Sequence, residues 1–194
     1  MWPWEHLAFG YVLYSAWAHL AWKRSPRSAE ALALVLATQF PDLVDKPLSW
    51  GLGLFPQGYA LGHSIVFSVP VVAVVAAASL RRDRPAVGVA FALGYASHLA
   101  GDVLSPALKG DGLGFDRLLW PFVSFEAYGA DRGFVGRFSL YVGRYLHEVV
   151  QPEYLPLLLT YLGLLLAVAA LWVFDGAPGV RSLFVALRAR LSDA

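Results

Sequence analysis

The sequence predicts an all-α fold: a polytopic membrane helical bundle of about five transmembrane or near-transmembrane helices, followed by a C-terminal amphipathic helix. Three observations carry that prediction. Of the 194 residues, 58% are hydrophobic and the mean hydropathy is +0.55, more apolar than an ordinary soluble domain. The apolar residues gather in runs close to the ~20 residues that a helix needs to cross the hydrocarbon core. Short basic clusters fall between alternate runs, the pattern that sets orientation in membrane proteins.

The first run covers residues 4 to 22 and ends before Lys23, Arg24 and Arg27. No basic segment precedes it, so it is expected to be a retained span rather than a cleaved signal. The second, residues 29 to 40, is short but reaches Leu48 with its flanks, and Pro41 is expected to end or kink it. Residues 58 to 80 form the third run, followed by Arg81, Arg82 and Arg84, and residues 85 to 105 form the fourth. The long connection from 106 to 152 is rich in glycine, aromatics and mixed charge, with a short interfacial helix expected over 141 to 150. A loop of this length usually serves a function. Residues 153 to 174 make the fifth run. Beyond it, Arg181, Arg188 and Arg190 beside Leu183, Phe184, Leu187 and Leu191 make an amphipathic interfacial helix.

With the basic clusters on the cytoplasmic side, the N-terminus and the 41–57 and 106–152 connections lie outside and the C-terminus inside. The expected organisation is a membrane-embedded domain over 1–174, with 106–152 as an extracytoplasmic loop, and a cytoplasmic tail over 175–194. The formal net charge of +1, with no continuous basic stripe, gives no nucleic-acid partner. There is no cysteine, so disulfides and thiolate metal sites are excluded.

Against this apolar background the polar exceptions stand out, because ionisable groups at membrane depth are costly and by default mark function. His98 and Asp102 lie one turn apart in Gly94-Tyr95-Ala96-Ser97-His98-Leu99-Ala100-Gly101-Asp102, so both project from one helical face. The topology brings four more candidates to the same outer end: His6, Asp42 and Asp45 in Pro41-Asp42-Leu43-Val44-Asp45, and His63 beside Ser64. Each also has a plainer reading. His6 suits an aromatic belt with Trp2 and Trp4; Asp42 suits turn chemistry; Asp45 can pair with Lys46; His63 and Ser64 can cap a helix. His98 and Asp102 can fix helix packing among Gly94, Ser97 and Gly101. His19 reads as structural and His147 as a solvated surface residue.

Three histidines and three carboxylates suit one or two divalent ions, with nitrogen ligands favouring Zn²⁺, or Mn²⁺ or Fe²⁺, over Ca²⁺. An ion with an open position acidifies bound water, and a carboxylate outside the coordination, Asp45 or Asp42, can act as general base.

In order, His6, Pro41-Asp42-Leu43-Val44-Asp45, His63-Ser64, Ser97-His98-Leu99-Ala100-Gly101-Asp102 and Arg117-Leu118-Leu119-Trp120-Pro121-Phe122 resemble the YdjM-like family, the LexA-binding, inner-membrane-associated metal-dependent hydrolases. The resemblance covers residues 1 to about 125. It implies a multi-pass inner-membrane protein with a hydrolytic metal site at His6, Asp42, Asp45, His63, His98 and Asp102, and a regulatory protein as a partner. A weaker similarity, to the His…His-x-x-x-Asp pattern of zinc-dependent phospholipase C, implies a lipid phosphoester. Two positions depart from the family's pattern: Gln57 to Gly62 carry no basic residue or histidine ahead of the His-Ser pair, and Lys46 follows Asp45 where many members have histidine.

The expected activity is therefore metal-dependent hydrolysis of a lipid-linked or membrane-proximal ester, most plausibly a phosphoester, with Ser64, Arg117 and Arg132 as substrate-binding groups. Two other readings use the same residues. A transporter would relay protons or a cation through His98 and Asp102, but would need polar groups continuing inward, where residues 71–78 and 87–93 are apolar. A regulatory membrane protein would use its metal only to hold helices together.

Overall fold

A computed structural model describes residues 1–130 and 132–180 of the chain. The protein is all-helical, 72% helix with no strand among the described residues. Its helices are α1 (Pro3–Trp22), α2 (Ser28–Lys46), α3 (Ile65–Leu80), α4 (Pro85–Ala107), α5 (Gly133–Val149) and α6 (Leu155–Phe174). Each of the five apolar runs contains a helix, with local chemistry that explains its ends, but the third, expected over 58–80, is helical only from Ile65, because the amides of Ala60, Gly62 and His63 are given to Asp45 instead of to a helix. Pro3 opens α1, where a missing N–H costs nothing, and Lys23 closes it in the left-handed region at φ 53°. Ser64 caps α3 by accepting the Val66 N–H at 3.2 Å.

The structure differs from expectation in three further places. Pro41 does not end α2, which runs through it to Lys46 and then widens into a π-helical turn over Pro47–Gly51. The connection after α4 holds α5, which begins at Gly133 rather than near 141. Among the described residues, only Pro85–Ala107 and Pro152–Phe174 are long and apolar enough to cross a membrane, rather than five segments. The reason is compositional: α3 is short, while α1 carries Glu5, His6 and His19, and α2 carries Glu30, Gln39, Asp42, Asp45 and Lys46. The amphipathic helix expected over 179–191 lies outside the described residues from 181 onward.

Helix α4 is the centre of the bundle, packed by α1, α2 and α3, with 61% of its most apolar window buried. Close approach depends on small residues at the crossings. A Cβ on Gly10 of α1 would stand 2.6 Å from Thr38 Cγ2 of α2 and 2.8 Å from Ser97 Oγ of α4. The apolar core joins Tyr11, Tyr14, Leu34 and Ala90 to a second group of Ala37, Phe91, Tyr95 and Leu99.

Helix α6 is a different kind of element: its mean hydropathy is 2.4 and none of it is buried. A polar lock holds its C-terminal end. Asp175, just past the helix, is fully enclosed and accepts from Tyr11 Oη at 2.8 Å and Ser15 Oγ at 2.7 Å, with His19 Nε2 at 2.7 Å. These three residues follow one another at four-residue spacing along one face of α1. Asp175→Ala would strand three buried or half-buried donors and is expected to cost about 1–3 kcal/mol. Thermal unfolding in detergent reads this directly, and an unchanged midpoint would show that the lock contributes nothing.

Candidate metal centre

Four helices deliver polar side chains to one end of the bundle. His6 comes from the first turns of α1, Asp42 and Asp45 from the last turns of α2, His63 from the residues leading into α3, and His98 and Asp102 from the C-terminal half of α4. All six are buried, His98, His63 and Asp45 completely.

Two backbone-anchored imidazoles define the centre. His98 Nδ1 lies 2.6 Å from the Thr38 carbonyl oxygen, which can only accept, so Nδ1 carries the proton. His63 Nδ1 lies 2.7 Å from Asp45 Oδ2 and is assigned a proton by the same reasoning. The remaining nitrogens, His63 Nε2 and His98 Nε2, face each other at 3.2 Å. Two neutral imidazoles held this way would aim lone pairs at one another, an arrangement that a shared metal ion, or a proton on His63 Nε2, relieves.

The carboxylates surround the same point. Asp102 Oδ2 is 3.2 Å from His63 Nε2 and 3.6 Å from His98 Nε2, and Asp42 Oδ1 is 3.6 and 4.0 Å from those atoms. Ligand atoms sharing one tetrahedral ion at about 2.0–2.1 Å stand about 3.4 Å apart, so the spacing fits a shared ion. Burial alone would lower the His63 imidazole, but its contacts with Asp102 and Asp45 outweigh that and push it up to about 9. The carboxylate cage attracts positive charge.

His6 stands on the other side of Asp102. Its ring stacks on His98 at 3.7 Å and 11°, and Nε2 is 3.4 Å from Asp102 Oδ1. Neither of its ring nitrogens makes a hydrogen bond although both are buried, a costly state that a metal ligand relieves. The Met1 amino group also reaches Asp102 Oδ1, at 3.1 Å. Two overlapping sets can therefore each hold an ion: His6, His98 and Asp102; and Asp42, His63 and His98.

The other candidates fall into different places. Asp45 stands behind His63. Its Oδ2 accepts from Ala60 N–H (2.8 Å) and His63 N–H (3.1 Å), and its Oδ1 accepts from Gly62 N–H (2.7 Å). Both oxygens are thus engaged in orienting the imidazole and its loop. Lys46 pairs with Asp42, four residues back on one helical face, rather than with its neighbour Asp45. The Ser64 hydroxyl caps α3 and donates to the Trp120 carbonyl, which leaves it no free role at the cluster. Arg117 is brought in, its Nη1 donating to the Asp102 carbonyl at 2.9 Å. Arg132 is exposed at the start of α5, and among the described residues no hydrogen bond or ion pair joins it to the cluster.

Sequence reasoning missed Thr38, Tyr59 and Tyr95. Thr38 lies one turn before Asp42, a readable spacing, but it contributes only a carbonyl. Tyr95 Oη donates to the Gly62 carbonyl at 2.6 Å, pinning the loop before His63. The Tyr59 ring meets that of His63 edge-on at 4.9 Å. Burial raises the Tyr59 hydroxyl pKa, as do Asp102 and Asp42, with Arg117 partly offsetting them. The phenol stays neutral and able to donate.

The family profile described as YdjM inner membrane protein matches residues 1–177. No curated protein and no solved structure matches the chain.

Proposed function

We propose, from the premise that the chain belongs to the family of YdjM inner membrane proteins, that it is a multi-pass, metal-dependent hydrolase acting on a lipid-linked or membrane-proximal ester. The observation that carries the metal is the 3.2 Å approach of His63 Nε2 and His98 Nε2 with both Nδ1 atoms anchored to acceptors. His63, His98 and Asp102 would hold the principal ion and leave a position open for water, with Asp42 beside it, and His6 would complete the site or serve a second ion with Asp102. Zinc is the first choice for such a set, with manganese or iron next.

When bound, a divalent ion supplies Lewis-acid activation of water and of the ester oxygen. The chain's own residues do the rest. Asp45 fixes the His63 tautomer and ring plane, as carboxylates behind metal-bound histidines do, and the Thr38 carbonyl does the same for His98. Of the two aspartates considered as proton acceptor, Asp42 is the better placed, because its side chain keeps 11% exposure while Asp45 keeps none. Lys46 pairs with Asp42 from one turn further along α2. Arg117 faces the substrate beside Asp102.

Helix packing supports the membrane reading. If α4 crosses the bilayer, α1, α2 and α3, which pack along it, share its depth. With α6, this gives five helices. Basic residues at 23–27 and 81–84 mark the cytoplasmic end, which puts the N-terminus and the cluster at the outer face, within reach of lipid headgroups, and the C-terminus inside.

Metal analysis of the protein purified in detergent, wild type beside His98→Ala, tests the proposal. Wild type is expected to carry at least one equivalent of transition metal, and His98→Ala a small fraction of it, with helix content retained. A metal-free wild type that takes up no zinc on titration would sink the reading, as would equal content in the variant.

A further inference from the structure

We infer that Arg117 and Tyr59 form an oxyanion clamp at the edge of the His/Asp cluster, and that the ester selected there is a phosphate ester rather than a carboxylic ester. The choice of ester rests on the hydrolase reading; the clamp is a binding site in its own right.

Chain geometry places the guanidinium. After α4 the backbone turns so that Gly114 N–H donates to the Val103 carbonyl at 2.9 Å, and a short 3₁₀ turn over Phe115–Leu118 follows. This returns Arg117 to Asp102, whose carbonyl accepts from Nη1 at 2.9 Å. The same residue therefore sends its carboxylate into the cluster and fixes the guanidinium beside it with its backbone. Tyr59 secures the other side. The Arg117 guanidinium carbon lies 4.6 Å from the Tyr59 ring centroid, and that ring reaches His63 at 4.9 Å. Stacking orients a guanidinium while leaving its edge donors available.

Those donors have little to bind. Arg117 is half-buried, and among the described residues it forms no ion pair. Its one side-chain hydrogen bond goes to a neutral carbonyl, and the adjacent Asp116 accepts from the Arg117 backbone N–H. The other cations at the cluster, Lys46 and the Met1 amino group, are paired with Asp42 and Asp102. An oriented, partly desolvated and unpaired guanidinium matches a tetrahedral oxyanion, which it binds through two parallel hydrogen bonds. In the ground state a carboxylic ester carries no charge to meet it, whereas a phosphate ester does. Tyr59 acts through Arg117 and is a positioning residue.

The experiment titrates full-length protein in detergent, as purified and zinc-loaded, with inorganic phosphate and with dihexanoyl phosphatidic acid, by calorimetry. Both ligands are expected to bind wild type. Arg117→Gln is expected to weaken each by about tenfold or more, the usual worth of a charge-assisted pair. Arg117→Lys, which keeps the charge and loses the fork, should lie between. Tyr59→Leu should weaken binding several-fold and Tyr59→Phe should restore it, since the ring does the orienting. Tighter binding of the lipid identifies a headgroup as the natural ligand, and equal binding identifies free phosphate. Arg117→Gln binding within twofold of wild type overturns the clamp, as does a wild type that binds neither ligand in either metal state. Arg117-dependent phosphate binding without hydrolysis would retain the clamp and reject the enzyme. Hydrolysis with Arg117-independent binding would do the reverse.

Discussion

Asp102→Asn is expected to lower zinc affinity more than about a hundredfold, beyond the 10–100-fold range typical of residues that only support a ligand. Asp102 is the one side chain that meets all three histidines: Oδ1 at His6, Oδ2 at His63 and His98. Asparagine keeps the shape, removes the charge and replaces one oxygen with a donor. A donor facing a ring-nitrogen lone pair can satisfy it as a hydrogen bond, but cannot share an ion with it. Asp45→Asn provides the contrast. Asp45 touches only His63 and the amides of its loop, so its loss should fall inside the 10–100-fold range. Competition with a fluorescent chelator measures both, and circular dichroism checks that the helices remain. Comparable losses for the two variants, or wild-type affinity for Asp102→Asn, would show that Asp102 is not a ligand.

The second large effect is on the fold. Gly62→Ala would bring a Cβ to 2.6 Å from the Pro41 carbonyl oxygen and 2.9 Å from Pro41 Cα. Both are backbone atoms of α2 and cannot swing aside as a side-chain tip can. The loop itself has little freedom, because Gly62 N–H is held by Asp45 and its carbonyl by Tyr95. The expected cost is about 3 kcal/mol, at the upper end for overpacking. Metal retention falls with it, since His63 follows Gly62 directly. Gly58→Ala is the matched control: its nearest neighbours, Trp50 Nε1 at 3.5 Å, Lys46 Cγ at 3.7 Å and Tyr128 Oη at 3.7 Å, are at ordinary contact distance. Unfolding midpoints in detergent should separate the two variants clearly. If they coincide, the contact between the loop and α2 does not constrain the fold.

Helical periodicity and apolar run length were legible without coordinates. The runs at 4–22, 85–105 and 153–174 became α1, α4 and α6 within a few residues at each end, because a helix satisfies its backbone internally wherever it lies. The i, i+4 spacing of His98 and Asp102 was legible for the same reason: helix geometry alone puts both on one face. The convergence of His6, Asp42, His63, His98 and Asp102 at one end followed from alternating chain direction.

Roles that depend on groups far apart in sequence were not legible. Nothing local separates Asp42 from Asp45, three residues apart on one helix. The amides of residues 60, 62 and 63 decide that Asp45 is saturated and Asp42 is not. Likewise Ser64 admits a capping and a substrate-binding role alike until its hydroxyl is seen to cap α3 and bond Trp120, and Arg117 and Arg132 read alike until one is tied to Asp102 and the other left exposed. Tyr59 has no sequence signal, since its meaning lies in two rings and a guanidinium from separate segments. Run length alone counts five spans, whereas by length and composition only α4 and α6 qualify among the described residues, because α3 is short and α1 and α2 carry polar residues.

By itself, the sequence determined an all-helical chain with histidines and aspartates gathered at one end, because both facts follow from local periodicity and chain direction. Tertiary structure alone decided which nitrogen faces which oxygen, and so which residues can share an ion and which only support them. Those distinctions rest on contacts of about 3 Å between distant segments, and no spacing along the chain encodes them.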